Sequence, residues 1–540
     1  MVSRCVLFTG PSGLNVRDAL DKLADYCARQ RVSRPAVVIL DDKMITQFLE
    51  KYPDEPMRDR MLQPGGFQRL LLEPKEYLLK LWCDTVENSV SEISQSAESA
   101  FLFLHSVYYH TSSRDFFSCV DLDHLERCLL NKELEISLVL TLVDDIYDMW
   151  RRLKGPGQLF FSSNNVVEGI ADLLLLLYWR SMEILTSARI AADLDVPHFL
   201  VALKHPLSVV YDLIFSDKVP VYVAHPITEV RKLESGDVSD RTKADDLKEE
   251  IRQLTNTLAN SDIVLPIYPT GIDELVFKED SSRRILPELL SRWPYDDPVN
   301  LLFVPPDASI PEPFNLEGPD EPEAMSLLLR HFADGIEAQI NSRDRTLVEQ
   351  TEAVVAWRPY YNGHPSSGVD NEIRHRNKMV ERELCQKESK QCFILSRWED
   401  VGWFRLEKIY ELLVNERAAL PPEMTAIVLR NRSKLLLDKV ACDKGQITGE
   451  ELSETVDPDN TISFPLPRAD TGALRRRRSL AEEEAHIKGW ATIADKVNAS
   501  FPEFEFLDTD IIRVDDAFTI GEFVRTVEKF VQPKRQRRTK

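Results

Sequence analysis

The sequence predicts an α/β protein with two parallel-sheet, Rossmann-like domains followed by a mostly helical C-terminal segment. The chain has 540 residues, which is too long for one hydrophobic core. Apolar strand-like runs alternate with helical runs, as in parallel sheets covered by helices on both faces. Beyond residue 397 this alternation gives way to helical and polar stretches. We therefore predict domains at 1–215 and 216–397 and a helical extension with a basic tail at 398–540.

The first domain is predicted from five strand-like runs with helical patterns between them. The strands are expected at 5–9, 36–40, 101–108, 136–143 and 199–203. The helical patterns include 16–30, 172–192 and 207–215. Strands alternating with helices of this length predict one parallel sheet.

A second alternation begins at residue 219. The strands are expected at 219–224, 262–268, 300–304, 353–358 and 392–396. The helices are expected at 241–259, 324–340 and 368–387. Further helices are predicted after the second domain, at 403–417, 422–440 and 481–499.

Composition describes a globular and acidic chain. It has 43% hydrophobic and 29% charged residues. A net charge of -22 argues against a general duplex-binding protein, but it leaves room for a nucleotide, since one phosphate needs only local amides and a cation. Eight cysteines without a CxxC pair predict free thiols in a reducing compartment, with neither a metal site nor a disulfide framework.

The two ends of the chain and its apolar runs predict a cytoplasmic protein without a membrane anchor. The first residues lead directly into a strand, unlike a signal peptide, and the longest apolar run, 173–179, is too short to span a bilayer. Basic runs at 475–478 and 534–540 leave nuclear import or nucleic-acid contact open. A solvated loop and a disordered end are the default interpretation. We also expect a homo-oligomer.

The informative stretch of the second domain joins a helix, a buried strand and the start of the next helix. Asp344 lies close to the end of the first helix, and Ser366, Ser367 and Gly368 open the next one at the carboxyl end of the strand. Ligands bind at this edge of open α/β sheets, and amides at a helix N-terminus suit a phosphate or sugar hydroxyl. Glu372 falls in the first turn of the same helix, so we expect Asp344 and Glu372 to converge on one ligand.

Paired carboxylates are what cleavage of a glycosidic bond requires. One attacks or stabilises the anomeric carbon while the other moves a proton. A pair roughly 5 Å apart makes a covalent glycosyl-enzyme intermediate feasible. A structural explanation stays open, because Ser367-x-x-Asp370 fits a capping box and acids in a first turn suit the helix dipole.

Several motifs of this domain occur in the same order in a known superfamily. They are VYVAHPI at 221–227, Arg343-Asp344, TEAVVA at 351–356 and PSSGVDNE at 365–372. On these motifs the domain resembles the nucleoside 2-deoxyribosyltransferase superfamily, and most of all its 2′-deoxynucleoside 5′-phosphate N-hydrolase branch. The resemblance implies a nucleoside, nucleotide or NAD-like ligand and a chemistry that requires no cofactor.

The resemblance also implies roles for individual residues. Glu372 would be the nucleophile at the anomeric carbon, and Asp344 the acid/base near the leaving base. Ser366 and the Gly368 amide would hold a 5′-phosphate, and Tyr222 would line the sugar pocket.

The sequence departs from the pattern of that branch at two places. Ala224-His225-Pro226 stands where the hydrolases have a Gly-Ser phosphate loop, and Asp370 replaces a glycine. His225 has two interpretations, contact with a base or phosphate and a hydrogen bond to local backbone. His225 and Ser367 are kept as binding candidates.

The first domain carries a glycine-rich turn between its first strand and helix. The run LFTGPSGLN at 7–15 contains Gly10, Ser12 and Gly13 and resembles the phosphate loop of P-loop nucleotide kinases. The full motif continues with Gly-Lys-Ser/Thr, whose lysine reaches the phosphates and whose hydroxyl binds Mg²⁺. Leu14, Asn15 and Val16 stand there instead, so both functional groups are missing, and binding of ATP and Mg²⁺ stays an open alternative.

A second candidate in the first domain is Asp144, which follows the strand predicted at 136–143. In that position it resembles a Walker-B-type carboxylate. Capping of the next helix explains an acid there equally well.

These features lead to three hypotheses about function. The first is an N-glycosidase or deoxyribosyltransferase on a nucleoside or nucleotide, with NAD cleavage as a neighbouring chemistry. The second is a non-catalytic nucleotide-binding sensor or scaffold. The third, a nucleotide kinase, is the weakest because the phosphate-loop lysine is missing.

Overall fold

The structure of the protein is a computed structural model with two compact units. It describes residues 3–30, 33–52, 55–63, 66–96, 99–110, 115–118, 120–132, 134–154, 166–234, 237–269, 276–279, 285–288, 322–359, 366–381, 391–396, 511–513 and 517–538. The first unit takes its residues from Met1–Pro220 and Ile267–Gln350. The second takes them from Val221–Pro266 and Thr351–Arg538.

The described strands are numbered in chain order. They are β1 (Ser3–Thr9), β2 (Ala36–Ile39), β3 (Ser99–Phe103), β4 (Tyr108–His110), β5 (Asp115–Phe117), β6 (Leu134–Val143), β7 (His198–Ala202), β8 (Val219–Ala224), β9 (Val264–Ile267), β10 (Val276–Glu279), β11 (Ile285–Glu288), β12 (Ala353–Trp357), β13 (Gln391–Ser396) and β14 (Ile511–Arg513).

The described helices are numbered in the same way. They are α1 (Val16–Arg29), α2 (Leu40–Lys51), α3 (Glu55–Met61), α4 (Gly66–Leu70), α5 (Lys75–Ser96), α6 (Leu122–Asn131), α7 (Ile146–Lys154), α8 (Val166–Asp193), α9 (Leu207–Phe215), α10 (Ile227–Glu234), α11 (Val238–Ala259), α12 (Pro322–Gln350), α13 (Ser367–Glu381) and α14 (Ala517–Arg538).

The first unit contains a five-stranded sheet in the order β2-β3-β1-β6-β7, and every pair of neighbours is parallel. Its strands are apolar on both faces, as expected when helices cover both sides. Alternate residues of β1 enter different cores: Cys5 and Leu7 pack in one cluster, and Val6 and Phe8 in the other. The predicted parallel α/β class is therefore confirmed for this unit.

The second unit contains a sheet in the order β14-β13-β12-β8-β9. β12 is parallel to β8 and β13, and β13 is parallel to β14. Counted along the chain, the strands of this sheet stand in the order 2-1-3-4-5. In doubly wound sheets of this order, ligands bind where the chain connections diverge, at the carboxyl ends of the first and third strands. Those strands are β8 and β12.

One predicted strand of the first unit is corrected. The run 101–108 was expected to be one strand, but β3 ends at Phe103 and Tyr108 begins a separate antiparallel hairpin of β4 and β5. The amides of Ser106 and Val107 donate to the side chain of Glu183 instead of to a neighbouring strand. The chain therefore leaves the sheet despite its apolar composition.

The two units do not follow the predicted ranges 1–215, 216–397 and 398–540 at two places. Helix α12 belongs to the first unit, where Phe332 and Ile336 pack with Leu173 and Leu177 of α8. Strand β14 and helix α14 belong to the second unit, because β14 extends its sheet beside β13. A hydrogen bond of 2.6 Å from Ser261 Oγ to Glu528 Oε1 holds α14 beside the end of α11.

The structure describes residues 511–513 and 517–538 of the C-terminal segment. Helix α14 runs to Arg538, so the basic end predicted to be disordered is helical over most of its length. The strand predicted at 300–304, the helices at 403–417, 422–440 and 481–499, and the basic run 475–478 lie outside the described residues. In the part of the chain that the structure describes, no helix combines the length and the apolar character needed to cross a membrane.

Candidate functional site

Strand β8 brings the first candidate side chains to the carboxyl edge of the second sheet. All six of its residues are buried, which fits a β-branched strand in the middle of a sheet. Tyr222 lies opposite Val354 of β12. His225 follows the strand and is also buried, and its carbonyl accepts a hydrogen bond of 2.8 Å from the Ile227 amide as α10 begins.

Strand β12 and the turn after it form the neighbouring part of this edge. Arg358 has a φ of +42°, a left-handed conformation that costs energy for a residue with a Cβ. Its guanidinium Nη1 donates to Glu250 Oε2 of α11 at 3.0 Å, and the side chain is buried. This ion pair helps to hold the chain in its strained turn at the end of β12.

Helix α13 begins at the same edge. The Ser366 amide donates to the Pro359 carbonyl at 2.8 Å, and the Ser366 carbonyl accepts from the Asp370 amide at 2.9 Å as the first helical turn forms. Ser366 is buried, and a Cβ built on Gly368 would meet nothing within 4 Å. Close approach to the backbone of Gly368 is therefore unobstructed.

The capping explanation for this turn is not in register with the helix. Because α13 begins at Ser367, the cap position is Ser366, and a capping box would need an acidic or amide side chain at Val369. Asp370 instead forms an ion pair of 2.7 Å with Arg374, one turn further along.

Glu372 and Tyr222 meet over the sheet. The Tyr222 hydroxyl donates a hydrogen bond of 2.6 Å to Glu372 Oε1, and both residues are buried. They are 150 positions apart in the chain. The contact forms because α13 covers the face of the sheet to which Tyr222 points. A phenol donating to a carboxylate at this distance is a charge-assisted hydrogen bond, which fixes the carboxylate's orientation.

Arg376 lies one turn after Glu372 on α13 and was not predicted. It is fully buried, and its Nη2 donates to the Thr351 carbonyl at 3.1 Å. Thr351 immediately precedes the described start of β12, so Arg376 ties α13 to the base of that strand. A single arginine on a helix carries no sequence signal that separates it from the common surface arginine.

Asp344 lies in a different unit from Glu372. It belongs to α12 and the first unit, whereas Glu372 belongs to the second. Burial raises the pKa of Asp344, and Arg343 acts against this through its charge and through a contact of 3.0 Å. The predicted convergence of Asp344 and Glu372 on one ligand stays a prediction.

The glycine-rich turn of the first unit is filled by the chain's own groups. The Gly10 amide donates to Glu183 Oε1 at 3.1 Å. A Cβ on Gly10 would lie 2.6 Å from a methyl carbon of Leu14 and 2.8 Å from the Leu142 carbonyl, so Leu14 folds over this glycine. Gly13 has a φ of +89°, a conformation that favours glycine. Ser12 lies in the same turn and is half-buried.

Asp144, the other candidate of the first unit, is held by cations. It forms an ion pair with Arg152, and Lys204 Nζ lies 3.9 Å from Asp144 Oδ1 and 3.0 Å from Asp148 Oδ2. Burial acts to lower the pKa of Lys204, but the charges of the neighbouring aspartates outweigh burial and raise it. Capping is the role of the next residue, Asp145, which accepts from the amides two and three residues later.

The comparisons with known proteins assign no family. No family model matches the chain, and no curated protein matches it. Among the residues that the structure describes, no group of three or more His, Cys, Asp or Glu side chains is arranged to hold a metal ion.

Proposed function

We propose that the second unit breaks or transfers the bond between the base and the sugar of a nucleoside or nucleotide. The observation that carries this proposal is the 2.6 Å hydrogen bond from Tyr222 to Glu372. It joins a carboxylate and a phenol at the edge of the sheet where doubly wound folds bind ligands. A carboxylate that attacks a sugar must be held in one orientation, and this hydrogen bond supplies that restraint.

The proposed reaction begins at the carboxylate of Glu372. One accepts the Tyr222 hydrogen bond, and the carboxylate attacks the anomeric carbon. The bond between that carbon and the base breaks, and the base leaves with the bonding electrons and takes a proton from a general acid. Water or a second base then attacks the same carbon, gives its proton to the conjugate base of that acid, and releases Glu372, giving hydrolysis or transfer.

Two observations support the class of ligand: the start of α13 at the carboxyl edge of the second sheet, and the order of the motifs that resemble the deoxyribosyltransferase superfamily. Ser366 and Gly368 open a 15-residue helix, whose N-terminal amides suit a phosphate, and space in front of Gly368 permits close approach. The resemblance to nucleoside 2-deoxyribosyltransferases and 2′-deoxynucleoside 5′-phosphate N-hydrolases supports a sugar that carries a base. We therefore propose a deoxynucleotide first, with nucleosides and NAD as neighbouring substrates.

Free base should appear when the full-length protein is incubated with its substrate. Deoxynucleoside 5′-monophosphates, nucleosides and NAD should be supplied separately, and the products separated by chromatography. Release from one of these classes supports the proposal, and exchange with an added second base identifies transfer. If no base is released from any of them at micromolar enzyme, the catalytic proposal is wrong and a binding role takes its place.

Tyr222→Phe should slow base release by about 10-fold, which corresponds to ~1.4 kcal/mol of lost transition-state stabilisation. Phenylalanine preserves the buried ring but removes the donor to Glu372. The matched control is Tyr178→Phe, since Tyr178 is an exposed tyrosine of the first unit. The measurement is kcat for both variants and the parent. Equal values for Tyr222→Phe and the parent would show that the hydrogen bond from Tyr222 to Glu372 does not contribute to catalysis.

For the first unit, we propose a structural role instead of phosphoryl transfer. The specific observation is that the side chain of Leu14 packs onto Gly10, and that Leu14, Asn15 and Val16 stand where a kinase needs Gly-Lys-Ser/Thr.

A further inference from the structure

Three backbone amides of the first unit converge on one buried carboxylate. Glu183 Oε1 accepts from the amides of Gly10 at 3.1 Å and Ser106 at 2.7 Å, and Oε2 accepts from the Val107 amide at 2.9 Å. We call these three amides the amide cradle. Glu183 itself is fully buried and comes from α8, far from either loop in the chain.

A cation stands beside the amide cradle. His105 Nδ1 donates to the Gly10 carbonyl, and Nε2 lies 3.1 Å from Asp41 Oδ2. Because both ring nitrogens face oxygen acceptors, both carry protons, and His105 is an imidazolium. Asp41 also accepts from the Tyr108 hydroxyl at 3.0 Å, which fixes its carboxylate.

The position of the amide cradle is that of a ligand site. Gly10 follows β1, and Ser106 and Val107 follow β3, so the amides lie beyond the carboxyl ends of two adjacent central strands. Backbone amides aimed at one point, with a cation nearby, are the chemistry with which proteins bind phosphate and carboxylate. Here the anion at that point is a side chain of the same molecule.

We propose that the amide cradle is a preformed oxyanion site that the chain occupies with its own Glu183. The ligand class is a carboxylate or phosphate oxyanion, and Glu183 takes its place permanently. The first unit therefore keeps its glycine-rich turn ordered without a bound nucleotide. This inference concerns the first unit and is independent of the chemistry proposed for the second.

The test removes the internal anion and supplies one from solution. Glu183→Ala in the full-length protein should lower the unfolding temperature by roughly 5–10 °C, because buried amides lose their acceptor. Sodium formate or acetate should then recover at least half of that loss. Sodium phosphate is a separate arm, which shows whether the vacated site also accepts a larger oxyanion, and sodium chloride at equal ionic strength should recover none of it.

Glu183→Gln is the matched control, because its side chain fills the same space and should block recovery by formate. Hydrogen exchange gives a second readout that also works if Glu183→Ala fails to fold. At pH 8, where Glu183 of the parent is ionised, the amides of Gly10, Ser106 and Val107 should exchange at least about 10-fold faster in Glu183→Gln than in the parent, since a charged acceptor is lost. Amides of β12 serve as the internal reference.

Three results would overturn the proposal. They are recovery of Glu183→Ala by chloride as well as by formate, unchanged exchange of the three amides in Glu183→Gln, and slower exchange of the three amides of the parent protein in millimolar phosphate or ATP. The last would mean that the site is open to solution ligands while Glu183 is present.

Discussion

Glu372→Gln should lower the rate of base release by at least about 100-fold, because an amide cannot act as the nucleophile at the anomeric carbon. Glutamine has nearly the same volume, and its amide oxygen can still accept the Tyr222 hydrogen bond, so the fold should be retained. The loss should therefore appear in kcat, with a change of only a few degrees in unfolding temperature. Single-turnover measurements with the best substrate of the panel provide the readout.

The control for this variant is another change of glutamate to glutamine in the same unit. Glu249→Gln alters an exposed carboxylate of α11 that pairs with Arg252, and its activity should equal that of the parent. Asp344→Asn in the same assay tests the acid/base assignment separately from the nucleophile. Equal rates for Glu372→Gln and the parent would exclude Glu372 as the nucleophile, whatever the result for Asp344.

The stability of the first unit should fall by up to about 3 kcal/mol as the pH rises from 6.5 to above 9. Burial acts to lower the pKa of His105, but the charge of Asp41, its hydrogen bond and the charge of Glu183 outweigh burial and raise the pKa from 6.5 to about 9. The folded protein then binds this proton more tightly than the unfolded chain. The resulting stabilisation is complete below pH 6.5 and is lost as the pH rises through 9.

Glu183 titrates in a different pH range. Burial raises its pKa from 4.5 to about 7, while His105 and the amides of Ser106 and Val107 act in the opposite direction. Its raised pKa gives a stabilisation that is present below pH 4.5 and lost as the pH rises through 7. The decline between pH 7 and 9 therefore reports mainly on His105.

His105→Gln should flatten this decline above pH 7. The measurement is hydrogen exchange of peptides from β1 and β3 at several pH values, corrected for the intrinsic exchange rate, which reads the local opening free energy of this unit in the intact chain. His331→Gln, at an exposed position of α12, should leave the pH dependence unchanged. Parallel curves for His105→Gln and the parent would show that His105 does not carry the effect.

Local patterns in the sequence predicted about half of the described elements. Helix 207–215 and strand 219–224 have the predicted bounds, because an apolar run between clear breaks specifies both its type and its length. The parallel α/β class followed from the alternation of strands and helices, which is a periodic signal spread over many residues. The positions of Tyr222 in a strand and of Glu372 in the helix that follows β12 also followed from local patterns.

The contacts between distant residues were decided by the tertiary structure alone. Tyr222 and Glu372 bond across 150 positions, and Gly10 and Glu183 across 173, and neither pair has a local spacing that could reveal it. The apolar run 101–108 predicted a strand, yet a carboxylate from α8 took two of its amides and ended the strand early. Periodicity reports which face of an element is buried. Which partner reaches that face depends on packing between elements, and the spacing of residues along the chain does not encode it.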